Sequence, residues 1–478
     1  GWASCADERL VLDEEGARWV RPSGRHVVFP RLGTGWERAT GDALWLEHLK
    51  PADDGTSDAG RDGTGDAAGA GGDDGGPGDA AGPAGDEWLV VSDNAGGRWV
   101  FDASGRLAWT CTGAGSRVDY VWQAGRLVGL AHERGGRVTV VWDQEADRIA
   151  GLEASDGRQV SYRYDASGRL VGVEREGGRR SYEWDEGGRV RRVMDADGVV
   201  EVDNTYNQAG QVLTQRSPFG RVSHYTYLPG GVTQVADEDG GRANTWIYDR
   251  WGRLVGMVDA DGARQSVIWD RWGNKVMVTA RDKRRTINQY DQRSRLTMRV
   301  EPTGARTTYD YDQADRVVRV TVAPEPDAAP SVTTFAYQGA DRNPTTITDP
   351  CGGLTHLEWD HGLLVRVVDP VGVSLDLTYD HRGDLIATTN ADGATARLER
   401  DARGRITAAT TPLGHRTQYR YDQAGNLTHR RDPDGALWRW EYTPGGRCAR
   451  WWTRPGAVPR SPMETTGLRS PRLTRWAG

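Results

Sequence analysis

The sequence predicts an all-β protein: repeated antiparallel β-hairpins, about 21 residues to the repeat, curling into an incomplete spiral β-wall. Three observations predict it. A short phrase returns about seventeen times between residues 100 and 445. Each repeat holds two turn signals. The runs between the turns alternate in polarity, which is the period-2 mark of strands.

The phrase is an aromatic residue, a variable one, Tyr or Trp, Asp, two residues, Gly, Arg and Leu. It reads Tyr162-Arg163-Tyr164-Asp165-Ala166-Ser167-Gly168-Arg169-Leu170, then Ile247-Tyr248-Asp249-Arg250-Trp251-Gly252-Arg253-Leu254. Further copies centre on Trp269-Asp270 with Gly273, Tyr379-Asp380 with Gly383, and Tyr421-Asp422 with Gly425. The Asp slot falls at 249, 270, 291 and 312, and again at 380, 401 and 422. A Pro-rich insertion at 323–330 breaks the step between these blocks.

In the phrase turn, Asp accepts hydrogen bonds from the backbone just ahead of it, and Gly takes a positive φ without a Cβ clash. That pairing suits a type I turn followed by a glycine bulge. A second turn follows about ten residues on, as in Asp195-Ala196-Asp197-Gly198, Asp259-Ala260-Asp261-Gly262 and Asp432-Pro433-Asp434-Gly435. Runs such as Arg169-Leu170-Val171-Gly172-Val173 lie between, and no stretch shows capped helical spacing. About seventeen hairpins give about thirty-four strands, a ribbon on the order of 160 Å wide at roughly 4.8 Å per strand. Open sheets rarely exceed about ten strands without curling, so the ribbon must curl.

Four segments follow from the pattern. Residues 1–50 hold strand-like pieces without the phrase and form a β lead-in. Residues 51–86 are low complexity, 29 of 36 being Ala, Gly or Asp. They are expected as a disordered loop inserted between two consecutive strands, because such a composition buries too little surface to order itself. Residues 87–446 are the repeat wall. Residues 447–478, with seven Arg and one Glu, are expected as an irregular tail, truncated or frameshifted.

The formal net charge of −7 is uneven. Residues 51–86 carry nine Asp against one Arg, leaving about +1 for the remainder. That excludes a basic footprint for nucleic acid. No apolar run reaches 18 residues, so no membrane span is expected, and no signal peptide is visible at the start. Cys5, Cys111, Cys351 and Cys448 have no paired spacing and read as incidental thiols.

The phrase, at this period and copy number, resembles the YD repeat of the Rhs family, with its teneurin and toxin-complex relatives. The segment from Asp13-Glu14-Glu15-Gly16 to Val27-Val28-Phe29-Pro30 resembles the lead-in to a bacterial Rhs core. The resemblance implies a hollow β-shell that encapsulates the protein's own C-terminal toxin. It further implies delivery in interbacterial competition by a type VI secretion apparatus with its spike proteins, and an immunity protein in the producer. The implied location is secreted or at the cell surface, through a specialised secretion system. The family's release block, an Asp-Pro-x-Gly-Leu signature cut by an aspartyl autoprotease, has no counterpart here. Asp349-Pro350-Cys351-Gly352-Gly353-Leu354 looks like it but sits in the slot of a second turn.

No catalytic, cofactor or metal residue is expected. The Asp-x-Asp-Gly turns lack the further carboxylates of a calcium loop. His356 and His361 need not share a face of a strand. Trp mostly replaces Tyr within the phrase, as at Trp184, Trp269 and Trp359. Trp251 and Trp272, in variable turn positions, are the candidates for an exposed binding surface. The reading is a structural container without its cargo. The alternative is a cell-surface module that binds glycan or protein.

Overall fold

In the computed structural model of the chain, residues 8–49, 88–113, 115–325 and 328–453 are described. The expected loop at 51–86 and most of the expected tail lie outside them. Every regular element among the described residues is a strand.

Four strands open the chain: β1 (Arg9–Asp13), β2 (Gly16–Val20), β3 (His26–Leu32) and β4 (Gly35–Trp36), in that order in one small sheet. The wall starts at β5 (Leu44–His48), which pairs antiparallel with β6 (Leu89–Asp93) across the Ala/Gly/Asp-rich insertion, Leu44 opposite Asp93 and His48 opposite Leu89. The insertion therefore joins consecutive strands, as its flanks suggested. From β5 to Cys448–Thr453 the wall holds 36 strands, neighbours in the sheet following sequence order. Cys448–Thr453 corrects the segment boundary expected at 447. It is a regular strand pairing with Leu437–Tyr442, Trp440 opposite Trp451. Its adjacent Trp451 and Trp452 extend the hairpin although no turn phrase follows them.

The chain forms two compact units. The first takes residues up to Leu127 with two phrase turns, Asp270–Asn274 and Tyr290–Arg295. It has a true core: Trp19, Phe29, Phe101 and Leu107 are fully buried, with Leu10, Val27, Leu46 and Val91 around them. At roughly 1.5–3 kcal/mol for each large apolar side chain buried, this cluster is the densest source of stability in the molecule. Glu8 is buried with it and accepts a hydrogen bond from Trp19 Nε1 at 3.0 Å. Burial raises the Glu8 carboxyl above its ordinary value despite that bond.

The second unit takes the remaining repeats. Here only scattered side chains such as Val140, Leu170, Val222, Ala387 and Ala408 are buried. Strands such as Arg416–Tyr421 alternate between exposed and half-buried positions. This is a single-layered wall, so its cohesion has to come from the ladder and the turns rather than from a core.

Candidate functional surface: the two turn edges of the wall

Each signature residue has a defined task in a phrase turn. At Asp165 the backbone closes with Asp165 N–H to Arg169 O and Gly168 N–H to Asp165 O, both 2.9 Å, and Gly168 takes φ 77°. Asp165 Oδ1 accepts the backbone N–H of Ser167 and of Arg169, both at 2.9 Å, and Oδ2 accepts Arg169 Nε at 2.8 Å. The same set recurs at Asp249, where Oδ1 takes Trp251 and Arg253 and Oδ2 takes Arg253 Nε at 2.7 Å. Gly252 stands at φ 74°. At Asp270 and Asp422 an Asn fills the Arg position, Asn274 and Asn426 donating to the carboxylate at 2.8 and 3.0 Å. Asp380 caps the N–H of Arg382 and Asp384. Gly273, Gly383 and Gly425 all have positive φ. This is the type I turn with a glycine bulge that the spacing predicted.

These bonds favour the ionised carboxylate. The Arg169 N–H and guanidinium hold Asp165 below the usual carboxylate range, and the Arg189 guanidinium does the same for Asp185. At Asp312 burial pushes upward, yet the backbone and guanidinium of Arg316 hold it low.

The aromatic slot does something the sequence reading missed. Tyr164 donates its hydroxyl to Ile149 O at 2.7 Å, Tyr379 to Leu364 O at 2.9 Å, and Tyr421 to Ile406 O at 2.8 Å. Trp269 donates Nε1–H to Leu254 O at 2.9 Å, and even Arg400 donates Nε–H to Leu385 O at 3.1 Å. Each acceptor is the Leu-slot residue of the preceding repeat. That residue sits opposite its own aromatic slot where the register shifts, as Leu254 does opposite Tyr248. In each of these repeats one side chain ties the bulge to the next hairpin. Trp replaces Tyr here because both carry a donor at the tip. Phe101, in the first copy of the phrase, lacks one and packs into the core of the first unit instead.

Guanidinium groups lace neighbouring phrase turns together along this edge. Arg189 reaches Asn207 O at 3.2 Å, Arg405 reaches Asp422 O at 3.0 Å, and Arg403 reaches Gln423 O at 2.8 Å.

Within the second unit the ribbon comes back onto itself. Arg134, in a second turn, donates to His361 O at 2.8 Å, 227 residues on in a phrase turn. Glu176 accepts Arg403 Nη2 at 2.8 Å, again 227 residues apart. Asp197 accepts Thr443 Oγ1 at 2.7 Å, Gly445 N–H at 2.8 Å and Arg447 Nη1 at 3.1 Å, while Asp195 pairs with Arg447. From Gly178–Trp184 through Thr395–Arg400 there are 21 strands, and from Val200–Tyr206 through Leu437–Tyr442 there are 23. One winding is thus about 100 Å of ribbon. The second-turn edge of one winding sits on the phrase-turn edge of the next. Close approach explains Gly177 and Gly178: a Cβ there would collide with Ala424 and with Ala196 and Pro444. The seam leaves a cleft of about 760 Å³ lined by Arg158, Arg175, Glu176, Asp195, Arg403 and Arg447.

The two tryptophans proposed for binding are not alike. Trp251 is 51% exposed, its ring between the guanidinium groups of Arg250 and Arg253 at 4.0 and 4.6 Å. Trp272 corrects the expectation: it is half-buried, because Arg38 of the lead-in lies 4.6 Å over its ring. Arg38 also bonds Ser294 Oγ and stacks 5.4 Å from Trp45, and Asn94 Nδ2 reaches Arg293 O at 3.1 Å. The lead-in therefore covers two phrase turns of the first unit. His356 and His361 lie apart, His356 against Thr346 and His361 against Asp360. Asp349 caps Cys351 and Gly353, both at 2.8 Å, as an ordinary second turn. Among the described residues no three His, Cys, Asp or Glu side chains gather as metal ligands.

Residues 94–289 match the teneurin YD-shell family model, and 359–395 and 400–437 match the RHS repeat. The chain is an Rhs/YD-repeat protein. This YD-repeat protein matches no curated protein sequence. Among solved structures it is similar to TcdB2-TccC3, at 14% identity over 77% of this chain and 29% of that one, with TM-score 0.34. It is also similar to the Photorhabdus luminescens Tc holotoxin pore, at 12% identity, 77% and 31% coverage and TM-score 0.33. The chain thus spans about three-tenths of the length of these solved chains.

Proposed function

We propose that this YD-repeat protein is a segment of a container: the wall of an Rhs-type polymorphic toxin that encloses a C-terminal toxin for delivery in interbacterial competition. The observation that carries the reading is the self-overlapping ribbon of the second unit, where turns of one winding seat on turns of another 21 to 23 strands later. A single-layered ribbon wound in this way separates two sides without a core between them. Its recurring Asp, Arg, Gly and Tyr hold the wall together, and the reading assigns no residue to catalysis. The partners it calls for are the enclosed toxin, its immunity protein and a type VI spike.

The test is to join a small reporter enzyme to the C-terminus of the wall and measure its cleavage by a protease. Enclosure requires that the native fusion resist cleavage at the reporter while a urea-opened fusion does not. Equal cleavage in both states contradicts the container. A second reading, recognition of glycan or protein at a cell surface, is favoured by Trp251, exposed between two guanidinium groups. Glycan-array binding lost on Trp251→Ala would support it over the container.

A further inference from the structure

The two edges of the wall that meet in the seam are both open elsewhere on the chain. In the seam, second turns around residues 134, 176 and 197 seat on phrase turns 227 to 250 residues further along. From Ser217 on, the described tips of second turns stand in solvent, and three of them are large and apolar. Phe219 is 97% exposed, Val371 84% and Leu413 83%. Each is the third residue of its turn and follows a proline, in Ser217-Pro218-Phe219-Gly220, Asp369-Pro370-Val371-Gly372 and Thr411-Pro412-Leu413-Gly414. Turn tips favour Gly, Asn, Asp and Ser, so three apolar tips in one position on one edge call for a cover. Asp392 and Asp434 hold the same turn position as Asp197, which in the seam pairs with Arg447.

The opposite edge is open at its start. Ala209, Gly230 and Trp251 at phrase-turn tips there are exposed, whereas a Cβ on Gly383, within the seam, would meet the Arg134 guanidinium at 2.7 Å. That open edge carries the phrase-turn guanidinium groups of Arg189 and Arg253.

We propose that the second-turn edge bearing Phe219, Val371 and Leu413 is a docking edge for the phrase-turn edge of a second copy of this chain. The occupant follows from the seam itself: the chain already joins these two edges once, and it presents one of each unjoined. Acidic and apolar tips on one side face guanidinium groups on the other. The contact is head to tail and does not close after two copies, so assembly grows with concentration.

Sedimentation equilibrium of the whole chain tests this. The expected result is an average mass that rises with concentration above 52.5 kDa. Phe219→Lys with Leu413→Lys, which sets like charge against the guanidinium groups, is expected to weaken self-association at least tenfold. Ala209→Trp, at the exposed tip of a phrase turn, does the same from the other edge. Mixing the two variants gives a one-to-one dimer and nothing larger, since each retains one intact edge. Unchanged far-UV circular dichroism shows that both variants fold. A wild-type chain that stays monomeric at every concentration overturns the proposal. So does a monomer with Phe219 shielded from hydroxyl-radical footprinting, which assigns the cover to the same chain, and so do variants that associate like wild type.

Discussion

Removing a single phenolic oxygen tests the inter-repeat rung. Tyr379 donates its hydroxyl to Leu364 O at 2.9 Å, and Leu364 sits opposite Trp359 where the strand register shifts. Tyr379→Phe keeps the ring and its packing but leaves that half-buried carbonyl without this donor. A neutral hydrogen bond contributes about 0.5–1.5 kcal/mol net, so the expected loss is about 1 kcal/mol. Tyr379→Trp restores a donor at the tip of a flat ring, as Trp269 does at Leu254 O and Trp359 at Pro344 O, and is expected to recover most of it. Urea titration followed by far-UV circular dichroism reads the difference as a shift in midpoint at constant slope. If Phe is as stable as Tyr, or Trp is worse than Phe, the aromatic slot acts through packing alone and the rung argument fails.

Other outcomes follow from the turns. Gly252 has positive φ and open space, so Gly252→Ala is expected to cost about 1 kcal/mol from backbone strain alone. Gly273 also has positive φ but lies against Gly41 O, so Gly273→Ala should cost clearly more and speed proteolysis of the lead-in. Lys283, Ser294 and Asp315 fill the glycine position at φ 67°, 59° and 62°. Lys283→Gly is expected to be neutral or to raise the melting temperature slightly. Ser294→Gly should lower it, because the Ser294 hydroxyl accepts Asn274 Nδ2 at 2.7 Å and also Arg38. The phrase-turn carboxylates, depressed in the fold, contribute stability that is complete above the usual Asp value of about 4 and lost as pH falls through their folded values. Melting temperature should therefore hold level from neutral pH down to about 5 and drop below about 4, and a drop already complete at pH 6 contradicts this assignment.

Hairpins and turns were legible because their causes are local. Asp165, Gly168 and Arg169 act on one another within five residues, so spacing alone reveals the turn. The pairing of β5 with β6 was legible because low-complexity sequence cannot hide two flanking strands. The rung was half-legible. Tyr, Trp and once Arg400 fill the slot, a set that shares a tip donor, but the acceptor lies about 15 residues back at a bulge that no periodicity marks. The seam was invisible, since Asp197 and Thr443 stand 246 residues apart in turns whose tips vary freely. Trp272 was misplaced for a related reason: its cover, Arg38, comes from a region without the repeat. Cys448–Thr453 escaped notice because no turn phrase follows it, whereas its strand is specified by pairing with Leu437–Tyr442.

The winding is the central claim, and a spin-label distance between Asp197→Cys and Thr443→Cys, with the native cysteines changed to Ser, tests it most directly. The two side chains touch across the seam, Thr443 Oγ1 to Asp197 Oδ2 at 2.7 Å, so a short, narrow distance distribution is expected even with the latch itself replaced. In an unwound ribbon, 23 intervening strands would hold the labels about 110 Å apart. A signal with no short-distance component would contradict the wound wall.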